Sequence, residues 1–183
     1  MTNTSRFLVC GPSNSCKSTF ALSLVDYLIS QKVTAKTIEL DPWSNSYVAF
    51  RGECTFENRP KINHLNWEWK EAVDRRIKQY TEDDAQVVLG DMIGKLGEGA
   101  VHILKKVREV TNACIIISRT VEGLRDWRIF IRDYDIPVIG EFLTIEKLGA
   151  LTPIVLPVLE RKIQPDHPAI LSISRLVVPK RMW

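Results

Sequence analysis

The chain has 183 residues, 45% of them hydrophobic and 26% charged, which is ordinary globular composition and enough for one domain with a sizeable core across 1–183. A net charge of +3 leaves nucleic acid a conceivable partner that charge does not support, and gives no reason to expect attraction to an anionic membrane. The amino-terminal MTNTSRFLVCG lacks the basic start and long apolar run of a secretory signal. No stretch approaches the roughly 18 apolar residues of a membrane span, so export and membrane insertion are not expected.

Short apolar runs recur along the chain: FLVC at 7–10, TIEL at 37–40, VVLG at 87–90, ACIIIS at 113–118 and PVIGEFL at 137–143. Their continuous hydrophobicity suits strands buried on both faces, as in a parallel sheet covered by helices. PIVLPVL, at 153–159, is a candidate sixth strand that its prolines confine to an edge or a loop. Between the runs lie helix patterns. Ser18 to Gln31 places Phe20, Leu24 and Leu28 on one side; Trp69, Ala72, Val73, Ile77 and Tyr80 form a second stripe. Ala100, Ile103, Leu104, Val107 and Val110 form a third, and Trp127, Phe130, Ile131 and Tyr134 a fourth. Strand alternating with helix predicts an α/β domain, a doubly wound and mostly parallel sheet with helices on both faces. The segment from Tyr47 to Asn66 has no clear period, and the proline-rich end from Lys162 resists assignment. Basic pairs such as Arg75-Arg76 and Lys105-Lys106 fall inside helical patterns and read as solvated faces. His102 lies off its helix's stripe and is expected at the surface.

Cys10, Cys16, Cys54 and Cys114 form no CxxC pair and no metal-ligand spacing with His64, His102 or His167, which fits a reduced, cytoplasmic setting. No nucleophile with a neighbouring histidine base emerges from the residue order.

The first apolar run leads into GPSNSCKST, Gly11 to Thr19. A phosphate-binding loop reads Gly, four residues, Gly-Lys, then Ser or Thr; here Gly11, Lys17 and Ser18 hold the right offsets, and Cys16 replaces the second Gly. In such a loop the backbone amides of Pro12, Ser13, Asn14, Ser15, Cys16 and Thr19 surround the phosphates so far as each carries an N–H, which Pro12 does not. Lys17 reaches the β and γ phosphates and Ser18 gives a hydroxyl to Mg²⁺. Asn14 is the non-Gly type that best tolerates a left-handed backbone. A left-handed Cys16 costs roughly 1–2 kcal/mol, which weakens binding without forbidding it. The alternative is a plain turn before a Ser-capped helix.

Two later acids stand at the same edge of the expected sheet. Asp41, in ELDPWSNS, can order a metal-bound or attacking water beside a γ phosphate, though Asp-Pro is also an ordinary turn opener. Asp91, in VVLGDMIGK, supplies a magnesium-side carboxylate, and Gly94 can bring a backbone N–H to the γ phosphate.

GPSNSCKSTFALSLVDYL, ELDPWSNS, VVLGDMIGKLGE, NACIIISR and IPVIGEFLT together resemble, in order and spacing, the ParA/MinD group of SIMIBI-class P-loop ATPases over about residues 6–145. Glu39, Asp41, Pro42 and Asn45 match that group's Asp-x-Asp-Pro-Gln-Gly-Asn segment. The resemblance implies a P-loop NTPase fold, ATP with Mg²⁺, and a dimer or partner complex governed by nucleotide state. Ser18, Asp41 and Asp91 would then hold the metal, and Lys17 and Asp41 would serve hydrolysis. This chain has Pro12 where the group carries a signature lysine that reaches the partner subunit's nucleotide. Two alternatives follow: a binding or assembly module that has lost hydrolysis, and a small-molecule kinase or ligase resembling dethiobiotin synthetase, with Arg51, Arg59 and Lys61 to hold an acidic substrate. No Asn-Lys-x-Asp guanine signature follows the later strands, which favours ATP.

Overall fold

The structure, a computed structural model, describes residues 4–41, 67–144, 155–156 and 167–178. In chain order they form β1 (Ser5–Cys10), α1 (Lys17–Ser30), β2 (Ala35–Glu39), α2 (Trp67–Glu82) and β3 (Val87–Asp91). There follow α3 (Glu98–Val107) with a short 3-10 turn (Arg108–Val110), β4 (Ala113–Ser118), α4 (Val121–Arg132), β5 (Val138–Thr144), β6 (Val155–Leu156) and α5 (Pro168–Val177). The six strands make one sheet in the order β2-β3-β1-β4-β5-β6, and every pairing is parallel.

Alternate residues of the central strands enter two different cores. Leu8, Ile38, Val88, Cys114 and Ile116 pack with Trp69, Val73, Tyr80, Ile103, Leu104 and Trp127 on the face carrying α2, α3 and α4. Phe7, Val9, Val87, Leu89, Ile115 and Ile117 pack with Phe20, Leu24, Leu28, Ile170 and Ile173 on the face carrying α1 and α5. Both faces are therefore covered, which explains why the strands read as unbroken apolar runs. The helix leaving β1 lies on one face, while those leaving β3 and β4, the neighbours of β1, lie on the other. That reversal makes the carboxyl end of β1 the topological switch point, where open α/β sheets place their ligands.

Several details depart from the sequence expectation. Val110 belongs to the 3-10 turn rather than to the α3 stripe and is exposed. His102 is half-buried, its Nε2 2.7 Å from Asp74 Oδ1, because α2 and α3 pack side by side. The carboxyl-terminal region holds a full helix, α5, whose start is set by Pro168 in the first turn and by the His167 ring accepting from the Ala169 amide at 3.2 Å. The two residues of β6 fall within the 153–159 run and pair at the edge beside β5. The 47–66 segment and Trp183 lie outside the described residues. Among those described, no helix is long and apolar enough to cross a membrane.

Candidate functional site

Gly11 through Cys16 connect β1 to α1. Gly11 has φ 140°, and a Cβ there would sit 1.8 Å from the Ile117 carbonyl oxygen, so backbone and space both exclude a side chain. Asn14 and Cys16 take φ values of 60° and 66°, both left-handed. Left-handed residues spaced this way turn successive amides into one concavity, an anion nest. Cys16 is the residue immediately before α1 and caps it with no side-chain hydrogen bond, so the helix is not Ser-capped and its first amides remain directed outward. The left-handed thiol residue costs about 1–2 kcal/mol. Burial of Phe20, Leu24 and Leu28 on the next helix, at about 1.5–3 kcal/mol each, outweighs it.

Lys17, Asp41 and Asp91 are 7%, 8% and 4% exposed and lie within electrostatic reach of one another. Backbone pairing brings them together. Glu39 is in register with Asp91, and the Leu40 amide donates to the Asp91 carbonyl at 2.9 Å, which carries the chain past the end of β2 and sets Asp41 beside Asp91. Lys17 Nζ donates to the Pro12 carbonyl at 2.8 Å, folding the side chain across the loop. Ser18 Oγ donates to Asp91 Oδ2 at 2.5 Å. The Trp69 indole donates to Asp41 Oδ1 at 3.4 Å.

Burial pushes the Asp91 carboxyl up to about 6; Lys17 and the Ser18 hydroxyl pull it down, and Asp41 adds to the rise. Burial lowers the Lys17 ammonium from its usual value, against the pull of Asp91, Cys10 and Asp41. Burial also raises the Cys16 thiol in spite of Arg119 and Lys17, so this cysteine is not an activated nucleophile.

Asp91 Oδ1 and Ser15 Oγ are buried without a hydrogen-bond partner among the described residues. The unmatched Asp91 Oδ1, together with the Ser18 hydroxyl on the other oxygen of the same carboxylate, provides hard-oxygen donors of the kind a small divalent cation takes. No group of three His, Cys, Asp or Glu able to hold a metal occurs among the described residues. A magnesium ion held by Asp91 and Ser18 would take its remaining ligands from elsewhere, such as phosphate oxygens or water.

Gly94 meets the loop through its carbonyl. The Ser13 amide donates to the Gly94 carbonyl at 2.8 Å, and a Cβ on Gly94 would lie 2.5 Å from Ser13 Oγ and 2.7 Å from its backbone. Glycine is needed there to let the two loops touch. On the other flank, a Cβ on Gly123 would meet Ser118 Oγ at 2.3 Å and the Pro12 ring at 3.0 Å, so the start of α4 also packs on the loop. Two residues escaped sequence reasoning. Arg119, exposed at the end of β4, extends its positive field to Cys16 at the loop; its position after the fourth apolar run, at the same sheet edge, was the available signal. Trp69 is core, as its stripe implies, yet its one polar atom faces Asp41.

No family model matches the sequence, and no curated protein matches it. Solved structures do match. The septum site-determining protein MinD from Pyrococcus horikoshii OT3, complexed with Mg-ADP, superposes at TM-score 0.53 with 14% identity, covering 96% of this chain and 79% of that one. A nucleotide-binding protein from Archaeoglobus fulgidus, in complex with ADP, gives TM-score 0.58 with 13% identity, covering 94% and 86%. Cobyrinic acid a,c-diamide synthase from Mycobacterium smegmatis, with bound ATP analogue and magnesium, gives TM-score 0.57 with 15% identity, covering 95% and 93%. The chain has the α/β P-loop NTPase-like fold of these proteins, with an all-parallel sheet.

Proposed function

We propose that this protein binds ATP with Mg²⁺ at the Gly11–Thr19 loop and is a ParA/MinD-like ATPase whose nucleotide state controls association with itself or with a protein partner. The observation that carries the reading is the buried set Lys17, Asp41 and Asp91 at the switch point, in front of a left-handed amide nest. Three buried ionisable groups side by side cost several kcal/mol unless a charged ligand belongs among them. The loop amides would receive the phosphates, Lys17 would move from the Pro12 carbonyl onto them, and Ser18 with Asp91 would hold the cation. Asp41 would orient the attacking water. A bound magnesium ion would supply neutralisation of charge building on the phosphate oxygens. Similarity to MinD, itself complexed with Mg-ADP, supports the assignment, as does similarity to proteins holding ADP or an ATP analogue.

The test is calorimetric titration with ATP and Mg²⁺, followed by phosphate release, on the wild-type chain and on Lys17→Ala. Lys17→Ala is expected to weaken binding by at least about 100-fold, the effect of removing a buried charged contact worth about 3 kcal/mol. Equal affinities would overturn the reading. A second reading, a binding or assembly module without turnover, is favoured by Pro12 and by the left-handed Cys16. It predicts affinity with no phosphate release in single-turnover measurements.

A further inference from the structure

The face bearing α2 and α3 holds a cavity of about 420 Å³ that the nucleotide site does not use, lined chiefly by Trp69, Lys70, Gly97, Glu98, His102 and Lys105. At about 30 Å³ per water molecule it is too large for a lone inorganic ion and falls in the range of small organic ligands. Its charges are arranged unevenly. Lys106, next in sequence to Lys105, is held by Asp74 at 2.8 Å, and Lys36 by Asp83 at 2.6 Å. Lys70 and Lys105, on the cavity, make no ion pair among the described residues. Glu98 is the one acid on the lining among the described residues, which leaves a surplus of positive charge among them. His102 commits Nε2 to Asp74, so Nδ1 is the ring nitrogen left for an occupant. Gly97 borders open space on this lining, since a Cβ there would meet nothing within 4 Å.

We propose that this cavity binds a compact organic oxyanion, a carboxylate or phosphate monoester with a small apolar body, its acid group between Lys70 and Lys105, and that the occupant acts on the nucleotide site through Trp69. Trp69 lies at the back of the lining, fully buried, with its ring 6.3 Å centre to centre from that of His102, and its indole N–H reaches Asp41. A ligand that displaces the His102 ring shifts Trp69 behind it and so alters the hydrogen bond held by a residue of the phosphate-binding cluster. Couplings carried by one such contact typically change affinity about fivefold or more. The binding half stands on the cavity alone; the coupling half rests on the proposed nucleotide site.

The 183-residue chain, labelled with ¹⁵N at tryptophan, would be titrated with benzoate, phenyl phosphate and inorganic phosphate, with Trp69→Phe used to assign the indole resonance. Saturable movement of the Trp69 indole signal is expected with the two organic probes and not with inorganic phosphate; their relative affinities identify the preferred acid. The same titration on Lys17→Ala should be unchanged, and on Lys70→Ala/Lys105→Ala at least about tenfold weaker, the loss expected for two charge-assisted contacts. A motionless indole signal, or equal affinity in the double-lysine variant, would overturn the site. With the cavity saturated, the affinity for an ATP analogue should change about fivefold. Unchanged affinity overturns the coupling. A chain that binds no ATP analogue while its Trp69 signal still titrates sinks the nucleotide reading and leaves the cavity's ligand intact.

Discussion

The two ends of the central strands are built on opposite terms. At the amino end, Arg6 donates through Nε to the Tyr80 carbonyl at 2.8 Å and through Nη2 to the Asp83 carbonyl at 2.7 Å, while its amide meets Asn112 Oδ1 at 2.7 Å. Gln86 Oε1 receives the Thr34 amide at 2.8 Å, and Lys36 holds Asp83. At the carboxyl end the chain keeps two left-handed non-Gly residues in one loop, a carboxylate oxygen and a hydroxyl without hydrogen-bond partners among the described residues, and three buried ionisable groups. The same strands run through both regions, so sheet geometry does not explain the difference. Polar groups matched to each other stabilise the fold; polar groups matched to something else are what a ligand site consists of.

The sharpest way to break this contrast is to titrate it. The Asp91 carboxyl, raised to about 6 when folded, binds protons more tightly in the native than in the unfolded chain. The Asp91 contribution to ligand-free stability therefore falls as pH rises from about 4 to about 6, by about 3 kcal/mol for a shift of about two pKa units. The carboxyls of Asp74 and Asp83 are lowered, by Lys106 and Lys36 respectively among other partners and against the effect of burial, so their contributions are lost only below the ordinary carboxylate range. Urea unfolding of the wild type and Asp91→Asn across this window checks the claim. The difference between the two proteins should change by about 3 kcal/mol, and parallel pH profiles would show that Asp91 carries no such burden.

At the matched end the largest loss should come from Arg6→Ala. It removes two charge-assisted hydrogen bonds to carbonyls at the end of α2, where a cation also favours the helix dipole. The freed carbonyls are partly open to water, which limits the expected cost to about 2 kcal/mol in denaturant unfolding. A change below the scatter of the measurement would mean that the amino end is no better matched than the loop. Cys16→Gly tests the loop from the other side: it relieves the left-handed strain but gives the unfolded chain more freedom, for a net gain of about 0.5–1 kcal/mol. Cys16→Ala, which keeps the strain, should bring no such gain, and equal melting midpoints for the two variants would refute strain at this position.

Most of the architecture was legible in the sequence because burial on both sheet faces leaves unbroken apolar runs, and FLVC, VVLG and ACIIIS became the three central strands. The loop was legible through the offsets of Gly11, Lys17 and Ser18, and Asn14, the non-Gly type that best tolerates a left-handed backbone, does take one. Harder to read were features that depend on what lies across the sheet. The space beside Gly94 is taken by Ser13, Trp69 turns its nitrogen to Asp41, and the field of Arg119 reaches Cys16; each is a contact between segments distant in sequence. Helix α5 was hidden by the surrounding prolines, although Pro168 stands where a helix begins.

The smallest expected effect is also the most discriminating. Lys36 and Asp83 form a close pair at 2.6 Å, but Lys36 is 59% exposed, so water and salt screen most of its attraction. Lys36→Ala should then cost no more than about 0.5 kcal/mol, shrinking further in 0.5 M salt as the screening length falls to about 4 Å. Asp83 also accepts the Ala85 amide at 3.1 Å, and its own carbonyl serves Arg6, so its position does not depend on the lysine. A cost near that of Arg6→Ala would mean that the amino end is held by charge rather than by matched hydrogen bonds. The contrast with the buried charges around Lys17 would then be one of degree, set by solvent exposure, and not of partnering.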